Sequence, residues 1–498
     1  MRLKWIAAAL LVCTLIACGT AVVNPVSGET ELSAMSEEQE VAEGAKGHQQ
    51  VLQEYTVYNN PAVQNYVNAL GQRLAAHSHR ANLQWHFTVL DSPEINAFAL
   101  PGGYVYVTRG IMAYMESEAD LAGVIGHEIG HVTARHGAQR ATSQQHAGLG
   151  VFAANILGLV LESQGVTGAG QMAGQVSQTV AAGYIASYGR EQELQADGLG
   201  AEYLARNHYD PHNMVDVITV LKNQERYAVD VAKSEGRPAP TGGGWLASHP
   251  SNDQRLQQIK QTADSYGASS TYADDGRSRY LQVVAGLAFG ESADQGLVRG
   301  RNFYHGGLNI AVTAPAAWTI QNESQQVALV NAATDAALLI KPVPPAVGKT
   351  HAEVIRNGFK PTQGKSEATT LNGLQATHFT GVRQNEQGQN LGLEFTLVSG
   401  PENHMYALQY AAKDAATLQA NRSALREAES SFRAMTAQDR QAAKPWSIKL
   451  VPYPKGGFAE LAKRSPLPHA EQQLRLVNGF YGGGEPKPGQ LVKLVDAS

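Results

Sequence analysis

Cysteine is nearly absent: 498 residues hold two, Cys13 and Cys18, both at the amino-terminal end. Beyond residue 18 the chain has neither a disulfide to staple a small fold nor a thiolate to bind a metal. Any metal must therefore sit on histidine and carboxylate. Near the start there is also no apolar run of the ~20 residues that a membrane-spanning helix needs. The stretch from Trp5 to Ala17, behind the cations Arg2 and Lys4, is too short and reads as an export signal. A basic excess is missing as well: the formal charge is −5, and loss of Arg2 and Lys4 with the signal would move it to −7. That mild acidity, without a basic run, argues against nucleic acid as a partner. What is present is 43% hydrophobic content, enough material for two to four domains with their own cores.

The chain is organised around LAGVIGHEIGHVTARHG, in which His127, Glu128 and His131 form an H-E-x-x-H motif. On a helix residues four apart share a face, so two imidazoles can reach one metal ion with Glu128 beside them. Ser117 with Asp120 three residues on predicts the start of this helix, and Gly137 its stop. Leu121, Val124, Ile125 and Val132 supply apolar positions for packing. Alone, such a motif also arises by chance on an amphipathic helix.

Zinc sites of the gluzincin type take a third ligand from elsewhere, usually a carboxylate on a following helix, and leave the fourth position to water. The segment SYGREQELQADGLGAEYLARN offers Glu193, with Asp197 one turn later on the same face and placed to accept a hydrogen bond from a ligand imidazole. The bland alternative is a solvated acidic face of Glu191, Glu193 and Asp197.

Together HEIGHVTARH and REQELQAD resemble the metallopeptidase family of HtpX, the CAAX prenyl endopeptidases and the periplasmic outer-membrane assembly proteases, over approximately residues 36 to 262. The resemblance implies a zinc endopeptidase holding one zinc ion per chain on His127, His131 and Glu193, with Glu128 as the base. In WLASHPSNDQRLQQI a His-Pro pair would ordinarily be a loop feature. Periplasmic relatives carry a matching histidine that can fill the open zinc position. By that resemblance His249 is a candidate fourth ligand or switch, and Arg255 a candidate contact for an oxyanion or a carboxylate.

Leu15-Ile16-Ala17-Cys18 resembles a bacterial lipobox, in which Cys18 becomes the acylated first residue of the mature chain. Several acyl chains suffice for stable attachment where one does not. The alternative is an ordinary signal peptide with an incidental cysteine. Gly19 after the cysteine suggests the outer membrane, with the protein facing the periplasm. The expected organisation is a signal peptide over 1–17, a lipidated tether over 18–35, a metalloprotease domain over 36–262, a linker with a short helix over 263–301, an α+β domain over 302–437 and a final module over 445–498.

The expected fold class is thus multidomain: a mainly α gluzincin domain with a small sheet, an α+β domain, and a small LysM-like module. Tether residues 19–35 are polar and aperiodic, and their seventeen residues could span roughly 55 Å. Helices are predicted from Ser36 and over Pro61 to His77, a strand in LQWHFTVLDS, and a turn and strand in NAFALPGGYVYVTRGIM. Tyr104 to Thr108 is either the edge strand along which a substrate backbone adds or an ordinary core strand. The Gly- and Ala-rich stretch 139–188 reads as a lid over the active site, or else a bilayer contact. Farther on, LNIAVTA, QVALVNA, AALLIKPV, LQATHFTGV, LGLEFTLVS and HMYALQYAA read as strands, followed by a helix in DAATLQANRSALREAESSFRAM.

No 34-residue period marks tetratricopeptide repeats of the kind the assembly-factor relatives carry. The last fifty residues follow a strand, helix, helix, strand order resembling a LysM module, the family that binds glycans such as peptidoglycan. Lys455-Gly456-Gly457 replaces its Gly-Asp-Thr, which favours retention of the fold over sugar binding. Two functions remain open: a membrane-anchored endopeptidase for misfolded or stalled envelope proteins, and a latent protease acting as chaperone or scaffold in outer-membrane protein assembly.

Overall fold

The computed structural model describes residues 20–143, 188–236, 249, 253–267, 272, 274–322, 326–333, 335–384 and 388–497. Most of the lid stretch 139–188 and nearly all of the loop around His249 lie outside these. The chain divides into two compact units, one made of the residues up to Leu287 with Ile448–Asp496, the other of Ala288–Ser447 with the final residues.

In the first unit the chain opens on a hairpin, β1 (Thr20–Val23) with β2 (Thr30–Ser33), where a tether was expected. Asn24 explains the difference. Its buried side chain accepts from the amides of Val26 and Ser27, closing the turn, and donates to Glu31 and to the carbonyl of Ala134. Helix α1 (Glu37–Glu54) then starts in the predicted capping box of Ser36 and Gln39, and α2 (Pro61–Ala76) at Asn60, burying Val63, Val67, Leu70 and Leu74.

Three strands follow, β3 (His86–Leu90), β4 (Ala97–Leu100) and β5 (Tyr104–Thr108). The sheet order is β3-β5-β4, with β5 parallel to β3 and antiparallel to β4. Tyr104–Thr108 is therefore the central strand, not the edge: the turn Pro101-Gly102-Gly103 folds β4 back beside it, and β4 takes the edge. One strand was missed here because Asn96 to Leu100 is too short and too apolar to show alternation.

Helix α3 (Arg109–Tyr114) leads to α4 (Glu118–Thr133), which carries the H-E-x-x-H motif and is buried on all sides. Ser117 caps it, accepting from the Asp120 amide at 3.0 Å. Its end comes earlier than Gly137: the chain turns at Arg135, which holds a left-handed φ of 60°, and residues 136–143 start a new helical stretch. A Cβ on Gly137 would meet the Pro101 ring at 3.1 Å, so this glycine serves packing rather than a helix stop. Three more helices complete the wall, α5 (Arg190–Arg206), α6 (Asn213–Ser234) and α7 (Asp253–Ser265), followed by α8 (Arg277–Val284). Among the described residues no helix is long and apolar enough to cross a membrane.

The second unit holds a seven-stranded antiparallel sheet of β6 (Thr319–Asn322), β7 (Val327–Val330), β8 (Ala336–Pro342), β9 (Gln363–Leu371), β10 (Leu374–Gln384), β11 (Asn390–Ser399) and β12 (Met405–Ala412), in the order β6-β7-β8-β12-β11-β10-β9. Helix α9 (Ala415–Ser430) covers one face through Leu425 and Ala428, and Val354 and Ile355 pack with Phe379 and Phe395 in a separate cluster. All six predicted strands are present. Two strands of the sheet were not predicted: β6 has four residues and none of them is fully buried, and β9 is polar and exposed almost throughout, so neither sequence carries a burial signal.

The carboxy-terminal residues follow the expected order, β13 (Trp446–Pro452), α10 (Gly457–Ala462), α11 (Ala470–Val477) and β14 (Leu491–Ala497). From Ile448 to Asp496 they are part of the first unit. Lys493 of β14 is fully buried there, donating to the carbonyls of Ala113 at 2.9 Å and Met115 at 2.8 Å and pairing with Glu116 at 2.7 Å, at the entrance to α4.

Candidate metal centre

Two helices build the centre by coming unusually close. A Cβ on Gly200 of α5 would lie 3.2 Å from the His127 amide nitrogen, and one on Gly126 of α4 would lie 3.4 Å from the Gly200 Cα. A side chain at Gly200 would push the backbones apart by a few tenths of an ångström, so the glycines let the two helices pack backbone to backbone. At that spacing Glu193, in the first turn of α5, reaches the two imidazoles one turn apart on α4.

The donor atoms converge as the sequence leads one to expect. The Nε2 atoms of His127 and His131 are 3.0 Å apart, and the Glu193 carboxylate lies 3.7 Å from the first and 3.6 Å from the second. His249 comes from far along the chain, its Nδ1 3.2 Å from His127 Nε2 and 2.9 Å from Glu193 Oε1. All four donor atoms lie within 4.8 Å of one another and all four residues are buried. Ligand bonds of about 2.0–2.1 Å in a tetrahedron imply edges of about 3.3 Å, the middle of the observed range. Three imidazoles and a carboxylate, without thiolate, form a set suited to zinc. The residues present therefore fit the metal.

Protonation fits at His131 and Glu193. Burial, reinforced by His127 and His136 nearby, holds the His131 pKa well below its ordinary value, leaving the ring neutral with a lone pair to offer. Burial alone would protonate Glu193, but His249, His127 and Arg255 outweigh it and hold its pKa low. For His249 burial favours the neutral ring, and the carboxylates of Glu193 and Glu128 outweigh that, raising its pKa.

A further ring of contacts orients these ligands. Asp197 lies one turn after Glu193, with Oδ1 3.0 Å from His127 Nδ1, the contact expected from the sequence. Arg255 on α7 donates to both Asp197 oxygens at 2.8 and 2.7 Å, lies 3.0 Å from Glu193, and donates to the His249 carbonyl at 3.2 Å. Of the two roles expected for Arg255, the carboxylate contact is the one this geometry contains. Its guanidinium helps to hold the Asp197 pKa at about 2 against burial.

Two residues had no role in the sequence reading. His136 faces the back of His131, Nδ1 to Nδ1 at 2.8 Å, and meets Gln195 Oε1 with its other nitrogen at 2.8 Å; burial pushes its pKa down to about 4. A third histidine five residues after His131 was visible in the string, but a continuous helix would have carried it away. The break at Arg135 returns it. Tyr188 stacks on the His131 ring with centroids 3.9 Å apart. Glu128 is fully buried beside the cluster, with Oε1 3.6 Å from His249 Nε2. The gap between β4 and α4, lined by Ala99, Leu100, Pro101, His131 and Tyr188 among others, encloses only about 10 Å³.

Comparison with known proteins agrees with this geometry. The model of peptidase family M48 matches residues 61–282, which include every ligand of the cluster. The beta-barrel assembly-enhancing protease of Escherichia coli K12 is 31% identical over 245 residues, 48% of this chain and 47% of that protein, and its Yersinia pestis counterpart is 30% identical over the same length. The mitochondrial metalloendopeptidase OMA1 of Schizosaccharomyces pombe is 26% identical over 48% of this chain and 65% of its own. The chain thus spans about half the length of the assembly-enhancing proteases it matches. Among solved structures, LpqN of Mycobacterium tuberculosis aligns with 25% of the chain and 82% of its own at 17% identity, with a TM-score of 0.19, too low to bear on the fold. With His127, His131 and Glu193 in place on two closely packed helices and the family match over the same residues, residues 61–282 of the chain are similar to the metallopeptidases of family M48.

Proposed function

We propose that this protein is a zinc endopeptidase of the bacterial periplasm, anchored to the outer membrane through Cys18, that hydrolyses misfolded or stalled envelope proteins. The observation that carries the catalytic part is the approach of Glu193 to His127 and His131 with the Glu128 carboxylate beside them. The substrate class leans on relatives named for β-barrel assembly.

Zinc, when bound, supplies Lewis acidity that polarises a peptide carbonyl and acidifies a water. Glu128 accepts the proton of the attacking water and passes it to the leaving amine. Asp197 and Arg255 keep His127 and Glu193 in register, and His136 does the same for His131. The substrate backbone pairs with the free edge of β4 rather than with β5, whose two sides are taken. Arg255 serves here as a positioning residue, because contact with an oxyanion would require it to leave two buried carboxylates.

A catalytic zinc site keeps one position open, whereas four protein donors converge here. His249 then holds the resting enzyme closed and departs when substrate binds. The same observation favours the second reading, a latent protease that works mainly as chaperone or scaffold. Peptidoglycan binding by residues 445–498 is a further part of the proposal, resting on the strand, helix, helix, strand order; sedimentation with purified peptidoglycan tests it.

Cleavage of casein and of an unfolded outer-membrane protein, by wild type, Glu128→Gln and chelated wild type, separates the readings. Zinc-dependent cleavage lost in Glu128→Gln supports the enzyme. Absence of cleavage by zinc-loaded wild type and by His249→Ala alike would remove it.

A further inference from the structure

The hairpin that stands where a tether was expected has two unlike faces. Strand alternation places Val22, Glu31 and Ser33 inward. Glu31 meets Asn24 and Gln139 there, and the Ala34 amide just beyond donates to the Thr142 hydroxyl at 2.8 Å. The outward face carries Ala21, Val23, Thr30 and Leu32, with Ala21 opposite Leu32 and Val23 opposite Thr30. It bears no charge. Leu32 is 72% exposed and Val23 58%, the two most exposed of the large apolar side chains among the described residues.

The hairpin begins two residues after Cys18, and this face three. We propose that it lies against a lipid bilayer, so that the hairpin and the acyl chains on Cys18 form one membrane contact. The inference rests on the lipoprotein reading of Cys18. An acylated Cys18 puts the backbone at the membrane surface at residue 18, and Thr20 cannot be more than about 7 Å of chain away. A protein partner would have to reach the same face in that narrow space, whereas lipid is already there. The one exposed carboxylate of the segment, Glu29, sits by the turn, where headgroup water can solvate it.

The consequence is positional. Asn24 donates to the carbonyl of Ala134, the cap residue of α4, and Arg135 donates to the carbonyl of Met35 at 2.9 Å. The hairpin is thus bolted to the end of the metal helix. Instead of ranging on a leash, the metallopeptidase domain is held at one short distance and one orientation above the membrane, and takes substrates that lie at that surface.

The two native cysteines make the test direct. If Cys13 leaves with the signal and Cys18 is acylated, the mature wild type has no thiol to label. Thr30→Cys then carries a single environment-sensitive fluorophore on the outward face. The full-length protein is purified from membranes and reconstituted in vesicles of phosphatidylethanolamine and phosphatidylglycerol, with and without lipid-borne quencher. Blue-shifted emission quenched from the lipid side is expected. Serine at both Val23 and Leu32 should reduce the lipid-contacting population about tenfold or more, as expected for loss of two buried aliphatic side chains. A probe that reports water, on a chain whose wild type refuses the thiol reagent, overturns the hairpin contact while leaving the anchor in place. A wild type that takes the reagent removes the anchor, and the hairpin proposal with it.

Discussion

Replacing Arg255 by methionine keeps most of the aliphatic stem and removes one cation from beneath the metal centre. The structure gives the size of the effect. Arg255 makes a bidentate contact with Asp197 at 2.8 and 2.7 Å and lies 3.0 Å from Glu193, and all three side chains are almost completely buried. Removing one partner of a buried pair costs about 3–5 kcal/mol, because the stranded charge keeps its desolvation penalty. In the metal-free protein two carboxylates are stranded together, so the upper part of that range is expected. At about 2–4 °C per kcal/mol the unfolding midpoint of the first unit should fall by roughly 10–20 °C. Zinc affinity should also drop, by about 10–100-fold, as for other residues that orient metal ligands. The measurements are thermal and denaturant unfolding of the chelated protein and zinc competition with a chromophoric chelator. Adding Asp197→Asn should recover part of the stability lost in Arg255→Met, since it removes one of the stranded charges. A single variant within about 1 kcal/mol of wild type, a difference ordinary for surface substitutions, together with unchanged zinc affinity, would refute the reasoning.

Glu128→Gln should bind zinc normally and lose peptide hydrolysis by about 10²–10⁴-fold, the usual contribution of a general base; full activity would remove Glu128 from that role. For His249→Ala, higher basal cleavage with zinc retained is expected, and a metal-free, inactive protein would make His249 an obligatory ligand instead. Lys493→Met should lower the stability of the first unit by about 1–3 kcal/mol, because the carbonyls of Ala113 and Met115 lose their buried donor; thermal unfolding of the chelated protein reads it, and an unchanged midpoint counts against the contact. In the second unit the Glu429 carboxylate, 3.9 Å from His378 Nδ1, raises the pKa of His378, with Glu394 adding to it against partial burial. Since the folded value exceeds the unfolded one, the contribution is complete below about pH 6.5 and is lost as pH rises through the folded pKa. Stability of that unit should fall over this window in wild type and not in His378→Gln, as followed by denaturant titration at several pH values.

How much of the site was legible depends on how local each contact is. His127 and His131 occupy one helical face with Glu128 beside it, so their spacing allows both imidazoles to reach one ion. Glu193 and Asp197 share a second face, and the pairing of the two strings, rather than either one, marked them. His136 could not be placed, because its position depends on a left-handed Arg135 that no turn residue signals. Whether Tyr104–Thr108 is edge or core was left open for a related reason: Ala97–Leu100 and Tyr104–Thr108 both read as apolar, and which one lies outside is decided by pairing with His86–Leu90. In the second unit six strands were visible, while exposed β9 and the short Leu297–Arg299 and Asn302–His305, which bury Leu297, Phe303 and Tyr304, were not.

By itself the sequence determined the chemistry available to this protein: no thiolate beyond residue 18, two imidazoles and a carboxylate at helical spacing, and a pair of carboxylates downstream. Periodicity is a property of one chain segment, so it survives without any knowledge of the partners. Only the tertiary structure decided what those groups meet. It brought His249 into the cluster across 122 residues, turned Arg255 onto buried carboxylates, moved the free edge to β4, docked the expected tether on the metal helix, and set Lys493 of the last strand under its entrance. Each of these depends on close approach between segments distant in sequence, where burial and desolvation set the energies and spacing carries no information.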